Sequence, residues 1–339
     1  MKLKTTLLLF IIQIGIVFSQ TASSYLPTTV GNVWKFKTQA LDSAGVPTGP
    51  IISMFDSTLA FTSFLGKQTL ISIRKTEEGI MFDSSWYAAQ GSSIYTHMRS
   101  IELDTFEVKL PDWFETYRFG ASLGSRYTIF QLDTTLTIPG MGTLPLRFVY
   151  RGTRLGTESI TVPAGTFNAM TFKTEIVIQY RISLPPPLPP LLIDLFSLPV
   201  QDWLAQDRFI VKSRQEPLYV DSLGLNIPGQ IEELEEFRPP STSVEGDLLK
   251  IDYKLYQNYP NPFNPSTVIS FQLSAVSQVS IRVFDILGRE VAVLVDEVIG
   301  PGIYNYPFSI LHYPLRSSVY FYQLKAGNFV ETKKMVYLK

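Results

Sequence analysis

Apolar and polar side chains alternate along much of this chain. Along Val268–Leu273, apolar Ile269, Phe271 and Leu273 alternate with polar Ser270 and Gln272, and Val279, Ile281 and Val283 alternate with Ser280, Arg282 and Phe284. A period of two is the signature of a strand with one face buried. Asp285-Ile286-Leu287-Gly288 reads as a turn, after which Arg289–Val295 returns as a strand. Val319–Leu324 and Phe329–Leu338 flank a further turn, Lys325-Ala326-Gly327-Asn328. Short strands with turns every ~8–12 residues predict an antiparallel β-sandwich over residues 250–339. Upstream, Val33–Lys37, Thr69–Arg74, Tyr127–Leu132, Leu146–Tyr150 and Phe172–Tyr180 also read as strands. No convincing stretch of helical period exceeds about 12 residues. The predicted fold is all-β, with an antiparallel barrel or half-barrel followed by the sandwich.

Local signals refine this outline. In Thr161-Val162-Pro163-Ala164-Gly165-Thr166-Phe167, Pro163 suits the second position of a type I turn and Gly165 the left-handed residue after it. That pattern predicts a three-residue hairpin with a bulge. Leu184-Pro185-Pro186-Pro187-Leu188-Pro189-Pro190 predicts a polyproline II stretch, either a stiff hairpin insertion or a segment that docks on an aromatic groove. The apolar Leu191–Leu198 after it is expected to pack back as a lid over a sheet. Ile231, Leu234 and Phe237 stand at helical spacing, although a closing edge strand fits them equally. No repeat of 20–50 residues is visible, which excludes solenoids and propellers.

The ends of the chain carry addressing and linking signals. Lys2 and Lys4 precede an apolar run from Leu7 to Phe18, and small Ser19 follows. This is the pattern of a secretory signal peptide over residues 1–19, cut between Ser19 and Gln20. The run is shorter than the roughly 20 residues of a spanning helix, so no transmembrane span is expected. The Pro-Pro-Ser-Thr-Ser run after Arg238 reads as an extended linker. The resulting division is a β-rich cargo domain over 20–238, a linker over 239–249 and the sandwich over 250–339.

Composition narrows the chemistry. The 339 residues include no cysteine and only 2 histidines, which leaves almost nothing for zinc, thiol or histidine-based catalysis, and no cofactor is expected. Charged residues make up 17%, whereas there are 23 Phe and 17 Tyr, the balance of an aromatic-packed β protein. Residues 20–248 hold 18 basic and 24 acidic residues, and residues 249–339 hold 9 and 6. Neither part has the dense basic face that nucleic acid requires.

Four ordered blocks in the last 90 or so residues carry a family resemblance. They are Tyr256-Gln257-Asn258-Tyr259-Pro260-Asn261-Pro262-Phe263-Asn264-Pro265-Ser266-Thr267, then Val283-Phe284-Asp285-Ile286-Leu287-Gly288-Arg289-Glu290-Val291. Val319-Tyr320-Phe321-Tyr322-Gln323-Leu324 and Thr332-Lys333-Lys334-Met335-Val336-Tyr337-Leu338-Lys339 follow. Together they resemble the C-terminal sorting domains of type IX secretion. The resemblance implies a FlgD-type immunoglobulin sandwich and export across the outer membrane. It also implies the secretion machinery and a sortase-like protease as partners, with attachment to a surface lipopolysaccharide. Two positions depart from the family pattern: Ser317-Ser318 replaces a Ser-Gly pair, and Phe308 stands where tryptophan is common. Independently, Pro260, Pro262 and Pro265 predict an extended entry without ladder donors. Lys333, Lys334 and Lys339 either protect an edge strand or steer toward an acidic receptor, and the resemblance favours steering.

The larger domain resembles a poorly characterised extracytoplasmic group, the DUF3108-like β half-barrels. Val30-Gly31-Asn32-Val33-Trp34-Lys35-Phe36, the Thr161–Phe167 hairpin, Trp203-Leu204-Ala205 and Val211-Lys212 carry that likeness, while Gln206–Ile210 replaces an expected Gly-Val-Gly. It implies a fold and no reaction. Gly120-Ala121-Ser122-Leu123-Gly124 matches the Gly-x-Ser-x-Gly nucleophile elbow, but a strand follows it, His97 lies upstream and the only downstream histidine is His312. A Gly-Ser turn is the better reading. His97, alternating with Tyr95 and Arg99 on one strand face, is expected as a lone surface histidine. The expectation is a non-enzymatic surface protein whose acidic, aromatic domain takes an apolar or glycan ligand. The alternative is an extracellular hydrolase using Asp112 and Glu115 beside Trp113.

Overall fold

The computed structural model describes residues 21–338, apart from 78–80, 99, 104–105, 139–141, 221–224, 241–251, 311–312 and 314. Ser19, Gln20, His312 and Lys339, and most of the expected linker, lie outside the described residues. A 3₁₀ turn at Ala22–Ser24 opens the described chain, and everything regular after it is strand.

Through residue 238 the strands are β1 (Val33–Leu41), β2 (Pro47–Phe64), β3 (Lys67–Thr76), β4 (Met81–Gln90), β5 (Ser93–His97), β6 (Ser100–Leu103), β7 (Phe106–Lys109), β8 (Phe114–Arg118), β9 (Arg126–Ile138), β10 (Gly142–Val162), β11 (Gly165–Ile182), β12 (Leu191–Ala205), β13 (Phe209–Gln215), β14 (Leu218–Val220), β15 (Leu225–Ile227) and β16 (Gly229–Arg238). Twelve of them form one antiparallel sheet in the order β8-β5-β4-β3-β2-β1-β16-β13-β12-β11-β10-β9. Two meanders therefore run outward from a seam where the first strand pairs with the last. The seam runs from Val33↔Arg238 to Leu41↔Gly229 and places β16 centrally between β1 and β13, neither as a helix nor as an edge. The helical spacing of Leu234 and Phe237 has a local cause. The register skips Glu235, with Lys35 opposite Glu236 and Phe36 opposite Leu234. A bulge resets the alternation, so both residues pack beside Trp34.

The sheet curls until its two ends nearly meet. β8 and β9 share no ladder, but the Tyr127 hydroxyl donates to the Thr116 carbonyl at 2.8 Å and Arg118 Nη2 to the Thr128 carbonyl at 3.2 Å. Tyr127 reaches across because residue 152 is glycine: a Cβ there would sit 2.3 Å from the Tyr127 ring. At one end the first described residues act as a plug. Ala22, Tyr25 and Leu26 are buried against Phe119, Phe172 and Leu204, and the Ala22 amide donates to the Gly91 carbonyl at 3.1 Å.

Two local expectations need correction. Leu191–Leu198 is no lid, because it forms the first half of β12 and pairs with β11 from Ile182↔Leu191 onward. The Pro-rich segment is the turn joining those two strands, as the hairpin reading had it. In the Thr161–Phe167 hairpin the closing pair is Val162↔Gly165, so the loop holds two residues rather than three. The Ala164 amide donates to the Leu234 carbonyl at 2.9 Å, which pins that turn to β16.

The C-terminal strands are β17 (Lys254–Leu255), β18 (Ser266–Leu273), β19 (Ser277–Phe284), β20 (Glu290–Ile299), β21 (Gly302–Ser309), β22 (Ser318–Ala326) and β23 (Phe329–Tyr337). They form a three-stranded sheet, β17-β18-β21, and a four-stranded sheet, β20-β19-β22-β23. Side chains of both, among them Phe271, Ile281, Tyr322 and Met335, merge in one core, which makes this a sandwich. That core continues into the barrel wall through Phe64, Ile71 and Trp86. The Trp86 and Tyr304 rings lie 5.9 Å apart, and Ser84 Oγ donates to the Ile303 carbonyl at 3.2 Å. A Cβ on Gly302 would lie 2.7 Å from Ser84 Oγ, so the close approach depends on that glycine. This contact explains the unbroken burial of Thr69–Ile73: Leu70 faces the barrel interior, while Ile71 faces the sandwich.

Candidate functional site

The barrel wall holds a partly open cavity of about 260 Å³. One wall is aromatic, with Trp34 and Phe36 from β1, Tyr87 from β4 and Phe209 from β13. Strand alternation supplies the rest, since Leu70, Ser72 and Arg74 project at successive second positions of β3. Trp34 is locked in place by its indole N–H, which donates to the Arg208 carbonyl at 2.7 Å.

Arg74 is the centre of the polar side. Asp56 lies directly opposite it in the β2–β3 register and takes a two-pronged grip, Nε to Oδ1 at 2.7 Å and Nη2 to Oδ2 at 2.8 Å. Arg74 Nη1 donates to Glu232 Oε1 at 2.8 Å across the β1–β16 seam, and the Thr38 hydroxyl donates to the same oxygen at 3.4 Å. Burial works against the guanidinium charge, but the two carboxylates outweigh it and hold the Arg74 pKa well above its usual value. Asp56, Arg74 and Glu232 are the charged residues on the cavity wall.

Behind Ser213, Asp202 forms a second polar node. Its oxygens accept from the Ser213 hydroxyl at 2.7 Å and the Tyr117 hydroxyl at 2.9 Å. Burial pushes the Asp202 carboxyl up to about 6, aided by the Glu232 charge and opposed by those two donors. The folded state therefore holds this proton more tightly than the unfolded chain does. Stability falls as pH rises between about 4 and about 6, by about 3 kcal/mol once the window is crossed. Asp202→Asn should remove that slope, so its stability gain over the parent chain grows across the window. Urea unfolding at pH 4, 5, 6 and 7 measures the difference, and a constant difference would contradict the assignment.

The structure does not gather the residues proposed for hydrolysis. Glu115 bonds Ser93 and pairs with Arg118 at 2.8 Å, and neither it nor Asp112 lines the cavity. His97 is not a surface residue: it is 8% exposed, boxed by the rings of Phe64, Trp86 and Trp113 at 5.2, 5.4 and 5.5 Å, and bonded through Nδ1 to the Asp112 carbonyl. Gly120–Gly124 lies in the loop between β8 and β9, a turn with a strand on either side. No group of three or more metal-ligating side chains occurs among the described residues. The residues that do converge, Asp56, Arg74, Glu232 and Asp202, were not singled out by the sequence. The one signal was an arginine ending an apolar strand run.

The sorting-motif residues cluster around β23. Phe263 is buried against Phe308 and Tyr337, its amide donates to the Val336 carbonyl at 3.0 Å, and Asn261 Oδ1 accepts from the Val336 amide at 2.9 Å. Around it Tyr259, Pro260, Pro262, Asn264 and Pro265 are exposed, with Tyr259 bridged to Val268. Tyr322 is buried and donates its hydroxyl proton to the Tyr256 carbonyl at 2.8 Å, Tyr320 donates likewise to the Arg316 carbonyl at 2.9 Å, and Phe321 remains partly exposed. Asp285 closes its own turn, accepting from the Leu287 and Arg289 amides at 2.9 and 3.0 Å and pairing with Arg289 Nε at 2.7 Å, with Gly288 at φ +76°. Lys333 pairs with Glu331 at 3.0 Å, and Lys334 is exposed on the edge strand.

Three solved structures resemble the chain. One, described as a lipoprotein of Parabacteroides distasonis ATCC 8503, is 15% identical, with a TM-score of 0.35 over 63% of this chain and 98% of its own. An exported protein with a YmcC-like fold from Bacteroides fragilis NCTC 9343 is 13% identical, with a TM-score of 0.37 over 63% and 99%. PorZ, a surface component of the type-IX secretion system of Porphyromonas gingivalis, is 8% identical, with a TM-score of 0.20 over 84% of this chain and 50% of its own. No curated protein matches the chain. Residues 257–338 match the family model of the secretion system C-terminal sorting domain, and so the C-terminal sandwich is a sorting domain that marks the protein for secretion to the cell surface.

Proposed function

We propose that this is a surface-displayed binding protein: a container barrel, residues 20–238, joined by a linker over 239–249 to an immunoglobulin-like sorting domain of the FlgD type over 250–339. A signal peptide cut between Ser19 and Gln20 takes it to the periplasm, and the type IX machinery then carries it across the outer membrane. A sortase-like protease and a surface lipopolysaccharide complete the route. Asp285, Leu287, Gly288 and Arg289 form one accessible turn, and Lys333 and Lys334 lie on the edge strand, placements suited to recognition by that machinery.

The observation that carries the binding reading is the cavity. It joins a fixed aromatic wall to a small set of oriented polar groups, the usual make-up of a small-molecule site. No carboxylate pair in it is arranged for acid–base work, since Asp56 and Glu232 both hold Arg74. Calorimetric titration of the chain lacking residues 1–19 with small phenyl-bearing compounds should show saturable one-to-one binding. Ser72→Phe, which fills the cavity from β3, should weaken it at least tenfold. Undiminished binding to a folded Ser72→Phe variant would place the ligand elsewhere.

A further inference from the structure

We propose that the barrel cavity takes a small organic cation, an ammonium or amidinium group carried on a flat apolar body. The inference rests on the reading of the cavity as a ligand site and adds the charge of the ligand. Two carboxylates, Asp56 and Glu232, and one cation, Arg74, stand on the wall. Asp56 spends both oxygens on Arg74. Glu232 is engaged through Oε1 alone, by Arg74 and Thr38, and its Oε2 accepts no hydrogen bond among the described residues. One negative charge on the wall is thus left without a matching cation, and Asp202 behind Ser213 adds to the same sign when ionised. Glu232 Oε2 is not sealed off as a buried orphan, so a donor arriving in the cavity can reach it. A ligand that brings a positive donor to Oε2 completes the pairing, and an anion entering the same space meets the uncompensated charge.

The surroundings fit the other half of such a ligand. The Trp34, Phe36 and Phe209 rings line the cavity, and cations are attracted to aromatic rings as well as to carboxylates. Arg74 already lies over the Phe36 ring at 5.8 Å, so the wall accommodates a planar cation. A volume of about 260 Å³ is ample for one ring with a short side chain.

The test compares three probes of one shape by calorimetry on the chain lacking residues 1–19: 2-phenylethylammonium, 2-phenylethanol and phenylacetate. The ammonium should bind at least tenfold tighter than the alcohol, and the acetate weaker than both. Glu232→Gln should remove most of the ammonium's advantage, and raising salt from 50 to 500 mM should reduce it without help from any variant. Equal binding of ammonium and alcohol, or preference for the acetate, would overturn the cation inference and leave the binding reading standing. Failure of all three to saturate would overturn both.

Discussion

Arg74→Leu is expected to lower the unfolding free energy of the full chain by about 3–5 kcal/mol, the usual cost of leaving a buried charge without its partner. Asp56 and Glu232 would then face each other across the cavity with nothing between them. They come from opposite sides of the seam that closes the sheet, so their repulsion would act directly on the β1–β16 pairing. Arg74→Lys keeps the charge but not the planar fork and should cost less. The diagnostic variant is the triple replacement Asp56→Leu, Arg74→Leu, Glu232→Leu, which removes all three charges. It should recover most of the lost stability. Urea unfolding followed by tryptophan fluorescence measures each. A triple variant no more stable than Arg74→Leu would mean the arginine matters for its packing and not for its charge.

Phe263→Ala is expected to cost the sandwich about 3–5 kcal/mol, as for other fully buried phenylalanines. Its ring fills the space between Phe308 and Tyr337, with centroids at 6.0 and 5.4 Å. Its backbone also ties the proline-rich entry to the last strand through Val336 and Leu338. Loss of the ring therefore loosens the two motif blocks that the fold brings together, and surface display should fall with stability. Tyr259→Ala is the matched control: that side chain is 83% exposed, so its loss should leave stability within about 0.5 kcal/mol. Thermal unfolding and quantification of the protein on intact cells would be read side by side. Normal display of a Phe263→Ala chain with a weakened sandwich would separate sorting from folding.

The sandwich was legible because Val279, Ile281 and Val283 have one buried face each and one turn between strands, so period and punctuation agree. Much of the barrel was less so. β2 begins in an exposed stretch, Pro47–Ile51, that carries no core pattern. β16 imitates a helix because a bulge at Glu235 shifts its alternation by one. His97 looked solitary along β5, and the rings that bury it arrive from Phe64, Trp86 and Trp113 on other segments. The candidate site was illegible for the same reason. Arg74 and Glu232 are separated by 158 positions and meet only when the first and last strands of the barrel pair. Only the closure of the sheet turns Glu232 inward. The one trace in the sequence was the change from apolar to charged at Ile73-Arg74, which one strand cannot interpret alone.

In the proposed function the C-terminal sandwich is the address and the barrel its cargo. The most direct measurement is protease digestion of intact cells that carry a type IX system, comparing the full chain with one lacking residues 330–339. That deletion removes nearly all of β23, with Met335 and Tyr337 from the sandwich core, and leaves the barrel strands complete. External protease is expected to reach the barrel in the full chain only, with the truncated protein retained in the periplasm and its barrel still folded. Equal surface digestion of the truncated chain would contradict it.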